Sequence, residues 1–294
     1  GTFNLSTSDI AELKAGTGTV TIGQTAQSGA LTLGAAVDLA GRTVTINSGR
    51  VNDATNAIVA NSLTLNLDSN TAGANVVRTT VTSLAINTTD GNNATDRGIT
   101  VVDTAGVALG IVNLNDGTFT LTASGAITQT GVLTTASLTL TNTTSTTVLG
   151  QTNVITNLGT IVSTGGNFSL TNNSALQLDG AINAGANTFT ISNGANVVTF
   201  ALADGSEDIT ASTFTVTAND VVNLNTIRNL GTTNVVLEPD ATADTIDLAA
   251  STGTFNLSTS DIAELKAGTG TVTIGQTAQS GALTLGAAVD LAGR

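Results

Sequence analysis

The side chains in this sequence with the most capacity for chemistry are carboxylates. The densest set lies in ADGSED at 203–208, which brings Asp204, Glu207 and Asp208 together. A second set follows at Glu238, Asp240, Asp244 and Asp247, and TTDGNNATD at 88–96 adds Asp90 and Asp96. Paired carboxylates are the minimum for glycoside hydrolysis, but far from sufficient for it. Carboxylates beside turn carbonyls also suit the hard Ca²⁺ ion. The stretches follow neither the EF-hand loop nor the glycine-rich nonapeptide calcium repeat. They sit among Gly, Asn, Ser and Thr, the usual company of solvated turns. No catalytic, cofactor-binding or metal-binding residue is therefore assigned, and Ca²⁺ is left as the one ion these turns would suit.

Other chemistry is restricted by what is missing. There is no His and no Cys. That removes Ser-His and Cys-His nucleophiles and nearly every transition-metal ligand. Gly165-Gly166 reads as a turn, and no phosphate-binding glycine pattern follows a strand and opens a helix. T-x-T triplets at 19–21, 43–45, 118–120, 188–190 and 213–215 raise ice binding. Their uneven spacing fits ordinary outward Thr on strands instead. The expectation is that this is not an enzyme.

The chain has 294 residues and a net charge of −13, from 8 basic and 21 acidic residues. Such a surface is a poor match for nucleic acid, whose binding rests on phosphate contacts, and no apolar run reaches the ~20 residues of a membrane helix. Charged residues make up only 10%, against roughly 25% in ordinary domains. Apolar residues reach 40%, in patterned runs, which argues against disorder.

The main fact is a repeat. Residues 1–42 and 253–294 are identical, so the chain holds one 252-residue unit (1–252) and the start of the next (253–294). The simplest reading is a stretch of a longer array, each unit continuous with its neighbour. Inside the unit a shorter template recurs: TVTI at 19–22 and 43–46, SLTL at 62–65, SLAI at 83–86, TFTL at 118–121, NFSL at 167–170, TFTI at 188–191 and TFTV at 213–216. Strict alternation means strands with one face in and one out. Gly, Asn and Asp punctuate them. Recurrence of one template predicts an all-β, right-handed parallel β-helix of about 20 residues per coil, with about 12 coils per unit. SDIAELKAG at 8–16 departs from the pattern. It reads either as a short helix with Asp9 near its start and Gly16 closing it, or as an irregular loop.

Two stretches carry a resemblance. GAITQT at 125–130, SLTL at 137–140, NVITNL at 153–158 and NFSLTN at 167–172, within residues 125–178, resemble the repeat region of filamentous-haemagglutinin-like large exoproteins, as does the stretch 8–46. The resemblance implies two-partner secretion from a Gram-negative bacterium and an extracellular or cell-surface location. It also implies a structural filament or adhesin stalk acting in cell-surface or matrix adhesion. The alternative is a non-adhesive surface-layer or biofilm-matrix fibre; a polysaccharide-acting enzyme is a third class. The expected partners are neighbouring units along the same fibre and laterally associated copies, with Ca²⁺ bridging Asp204, Glu207 and Asp208 between them. No nucleic acid and no membrane insertion is expected.

Overall fold

The computed structural model describes residues 4–25, 28–68, 74–88, 98–201, 209–227 and 230–294. The chain divides into two compact units, Gly1–Ser137 and Leu138–Arg294. Each is a parallel β-solenoid, and together they make about nine turns with coils about 21 residues apart.

In the first unit, strands Thr19–Ile22, Val37–Ser48, Arg50–Leu67, Asn75–Thr88 and Val107–Asn113 stack in register. The T-V-T-I template dictates this. Its apolar positions face one way, so Val20, Val44, Leu63, Leu84 and Leu109 pair in sequence on neighbouring coils. Ile22, Ile46, Leu65, Ile86 and Val112 form a second inner row, continued by Leu133. Strands Ile99–Asp103 and Thr118–Ala123 form another face with residues 75–79.

The second unit repeats the scheme with aromatic cores. Strands Thr147–Val162, Phe168–Asn172, Thr188–Ser192, Thr213–Ala218 and Asn234–Pro239 pair in parallel. Phe168, Phe189 and Phe214 therefore lie directly over one another. The first two rings stack at 4.3 Å and 5°, the next two at 5.9 Å and 25°. All three are buried. Beside them, Leu149, Leu170, Ile191, Val216 and Leu237 form the second row.

The turn count falls short of the 12 coils expected for one 252-residue unit. Coil length is not constant, and outside the helix-bearing coil ladder partners stand from 19 to 27 residues apart. One coil is far longer: Thr271 binds Asn234 across 37 residues. That coil holds a helix, α2 (Thr259–Ala267), whose counterpart in the first copy of the repeat is α1 (Thr7–Ala15). Of the two readings of SDIAELKAG, the helix is correct. The cap is Ser6, or Ser258 in the second copy, whose hydroxyl accepts from the backbone of Asp9 or Asp261 while that carboxylate accepts from the serine backbone. This is a capping box with Asp in the third position. Gly16 ends the helix in extended rather than left-handed backbone.

The two copies thus share their local structure. Each has the capped helix, a Lys-Asp ion pair (Lys14 with Asp38, Lys266 with Asp290) and a following T-V-T-I strand. They differ in what covers them. α1 has no buried residue, whereas Asp261, Ile262 and Leu265 of α2 are buried. The cover is the short 3-10 turn Leu224–Thr226, whose Asn225 N–H donates to Asp261 Oδ1 at 3.0 Å.

Candidate functional site

The polar residues that the fold concentrates lie at the corners of the coils. Strand alternation carries apolar side chains inward, and the last inward position of many strands is polar. Ser48 follows Ile46, Thr88 follows Ile86, Asp103 follows Val101, Asn142 follows Leu140, Asn172 follows Leu170 and Asn193 follows Ile191; all six are buried. A buried polar group costs free energy unless it is hydrogen-bonded. At each corner the turn supplies backbone groups that need the same partners.

In the second unit these residues are asparagines that form a ladder. Asn172 Nδ2 donates to Asn193 Oδ1 at 2.9 Å, and Asn172 Oδ1 accepts from Ile155 N–H at 2.8 Å. Asn193 Nδ2 donates to the Val197 carbonyl, and Asn142 Oδ1 accepts from the Thr144 and Ser145 backbones. An amide suits the site because it carries donors and acceptors without charge.

In the first unit the corresponding corners hold Ser48, Thr88 and, at one of them, a carboxyl. Asp103 is fully buried, and its Oδ2 accepts from Thr79 Oγ1 at 2.8 Å and Val81 N–H at 3.1 Å. Its Oδ1 accepts from Ala105 N–H at 2.8 Å. Burial raises its pKa above the usual carboxylate value, against the pull of these three donors. Asp220, partly buried, is likewise raised by burial, opposed by donors from Asn256 and reinforced by the nearby Asp261 charge. Its Oδ1 accepts from Asn256 N–H at 2.7 Å, which ties the helix-bearing insertion to the coil beneath it.

The acidic sets singled out in the sequence divide between seen and unseen. Asp204, Glu207 and Asp208 lie outside the described residues, as do Asp90 and Asp96. The set from Glu238 onward is described and does not converge on one point. Glu238 accepts from Thr217 Oγ1 on the adjoining coil, and Asp244 caps the Ala241 backbone. Asp247 accepts from the Thr252 and Gly253 backbones; burial raises its pKa, but these bonds outweigh it and hold it below the ordinary value. These three each hold a turn or a neighbouring strand, and Asp240 is exposed. Among the described residues, no three His, Cys, Asp or Glu side chains are grouped to hold a metal ion. Nor is any helix there long and apolar enough to cross a membrane.

The outward Thr form short, interrupted rows. Thr21, Thr45 and Thr64 align, but the next place in that row is Ala85. Thr190 and Thr215 align with Ser169 on one side and Val236 on the other. The inward polar corner residues were not anticipated from sequence. Their signal was available as parity: each stands two places beyond an inward apolar residue.

Neither a family model, nor a curated protein, nor a solved structure matches this chain.

Proposed function

We propose that this chain is a structural scaffold, a segment of an extracellular filament or adhesin stalk of the kind formed by filamentous-haemagglutinin-like exoproteins. One observation supports the scaffold role above the rest. From coil to coil the same register recurs, and the buried polar side chains bond to turns and adjoining coils rather than gathering round a shared cleft. Such a ladder propagates along its own axis, each coil templating the next. Glu238, Asp244 and Asp247 act as caps and clamps, and the protein is read as non-catalytic. The adhesive role, the cell-surface location and export by two-partner secretion rest on the resemblance within residues 125–178 and 8–46.

Two measurements test this reading. Beads coated with the chain should bind cells or matrix above beads coated with an unrelated acidic protein, and antibody to the chain should mark fibres on the producing cell. Binding at the control level would remove the adhesive role and leave a matrix fibre. Incubation with a panel of polysaccharides should release no new reducing ends, and turnover would overturn the scaffold reading itself.

A further inference from the structure

Residues 117–178 contain no Asp, Glu, Lys or Arg, in a chain with 21 acidic and 8 basic residues. With coils about 21 residues apart, the uncharged stretch has the length of about three coils. The large apolar side chains that stand exposed gather at the same place. Before the final coil, and among the described residues, they are Ile111 at 64%, Val132 at 37%, Val148 at 45% and Val154 at 41%. Three of the four lie inside the uncharged stretch, and Asp116 is the one charged residue between Ile111 and its start.

Each unit carries one pair of these side chains, set at a bulge. In the first unit Leu109 pairs with Leu84 and Val112 with Ile86, so Gly110 and Ile111 together face Ala85. A bulge re-aims the side chains it carries, and Ile111 is the most exposed of the four. Leu133 pairs with Val112, which sets Val132 beside Ile111 on the next coil. Only glycine fits between them at 131, since a Cβ there would stand 2.4 Å from the Ile111 nitrogen. In the second unit Leu149 pairs with Leu170 and Asn153 with Asn172, so residues 150–152 together face Thr171. Val148 and Val154 flank that bulge. A Cβ on Gly150 would meet only Val148 within 4 Å, so Val148 stands beside open space. In the outward row of Val148 the next three places are Ser169, Thr190 and Thr215. The row that leads to Ile111 carries Thr45, Thr64 and Ala85.

We infer that these two pairs are contacts through which the chain docks side by side on a second copy of itself. Charge selects the partner. A second copy is as acidic as the first, so most of its surface repels this one. Residues 117–178 are where two copies touch without opposing carboxylates, and the apolar side chains there gain from burial. The contact is small and therefore weak by itself. In an array it recurs once in every 252 residues, at the same spacing on each copy, so the contacts between two neighbouring arrays add. No cation is needed, in contrast to bridging through Asp204, Glu207 and Asp208. The addition along arrays rests on the scaffold reading, whereas the pairing of single chains does not. A chain that binds no cells would still pair, so the cell-binding assay and the pairing assay fail separately.

Sedimentation velocity of the full chain in EDTA tests the pairing. The weight-average coefficient should rise with concentration. The rise should be steeper at about 0.15 M NaCl than at about 0.01 M, because the Debye length falls from ~30 to ~8 Å and the acidic coils repel less. Ile111→Asp with Val148→Asp should weaken the association at least about tenfold. Thr64→Asp with Thr215→Asp adds the same two charges in the same outward rows, outside the uncharged stretch, and should weaken it less than about threefold. Circular dichroism verifies that all variants are folded. Ile111→Thr with Val148→Thr keeps strand-forming residues at both places and should weaken the association in the same direction. An unaltered chain with no dependence on concentration would overturn the pairing. Equal behaviour of the two Asp pairs would overturn the assigned contacts.

Discussion

At the scale of the residue, the corners of the coils are the places where a single atom decides stability. Asp103 is fully buried and accepts three hydrogen bonds, from Thr79, Val81 and Ala105. In Asp103→Asn one carboxylate oxygen becomes an NH₂ group and faces a backbone N–H or the Thr79 hydroxyl. A buried donor left unmet costs about 1–3 kcal/mol, which the urea midpoint should report. The pH dependence has a definite sign. The folded pKa of Asp103 is raised, so the folded state holds the proton more tightly than the unfolded one. That contribution is full below the unfolded carboxylate value and is lost as pH rises through the folded value. The stability advantage of the unaltered chain over Asp103→Asn should therefore shrink from pH 3 towards neutrality; an advantage that grows instead contradicts the raised pKa. In the second unit, Phe189 lies between Phe168 and Phe214 and is fully buried. Phe189→Ala should cost about 3–5 kcal/mol, whereas outward Thr190→Ala should stay within about 0.5 kcal/mol. Equal losses from the two would mean that the inward ring row is not the core. The Phe row was legible in the sequence because its parity within T-F-T-I repeats at near-constant spacing. Asp103 was not, because alternation by hydropathy assigns a carboxylate outward, and only its place two residues beyond Val101 says otherwise.

Elements show a different balance between local and tertiary forces. α1 and α2 have one sequence and one capping box, yet only α2 is covered. A helix of nine residues is too short to be stable by itself, so its cap matters to the whole only where packing couples it to the core. Ser258→Ala should lower overall stability by about 1 kcal/mol, because Asp261 is held by that serine and in turn holds Asn225. Ser6→Ala should leave the urea midpoint almost unchanged and speed amide exchange only within α1. Identical effects from the two substitutions would show that the cover on α2 adds nothing. The strands were legible as short anchors but not at their true length. SLTL at 62–65 is one end of the 18-residue strand Arg50–Leu67, which runs through a register shift between Asp53 and Ala57. Asp53 makes that corner by accepting from the Thr55 and Asn56 backbones. A bulge inserts residues that the partner strand does not match, so four-residue templates mark the coils but not the full length of their strands. The 37-residue coil is hidden for the same reason, since a helix interrupts the two-residue period.

For the whole molecule, 21 acidic residues face 8 basic ones. Mutual repulsion among carboxylates destabilises a compact state, while exposed ion pairs such as Lys14–Asp38 add little. Screening should therefore help more than it harms. Raising NaCl from about 0.01 to 0.15 M shortens the Debye length from ~30 to ~8 Å. If this relieves about 1 kcal/mol, the Tm rises by ~2–4 °C. A Tm that falls over this range would mean that the ion pairs outweigh the repulsion. The duplicated 42 residues have a further consequence at the level of the gene. Identical coding stretches are substrates for unequal recombination, and most such exchanges in a protein create a junction that selection must then repair. Here the segment docks in register with the coil before it and with the coil after it. A crossover within it adds or removes 252 residues while every strand meets a neighbour it already fits. Length can thus change between generations in whole units, with no new junction for folding to solve.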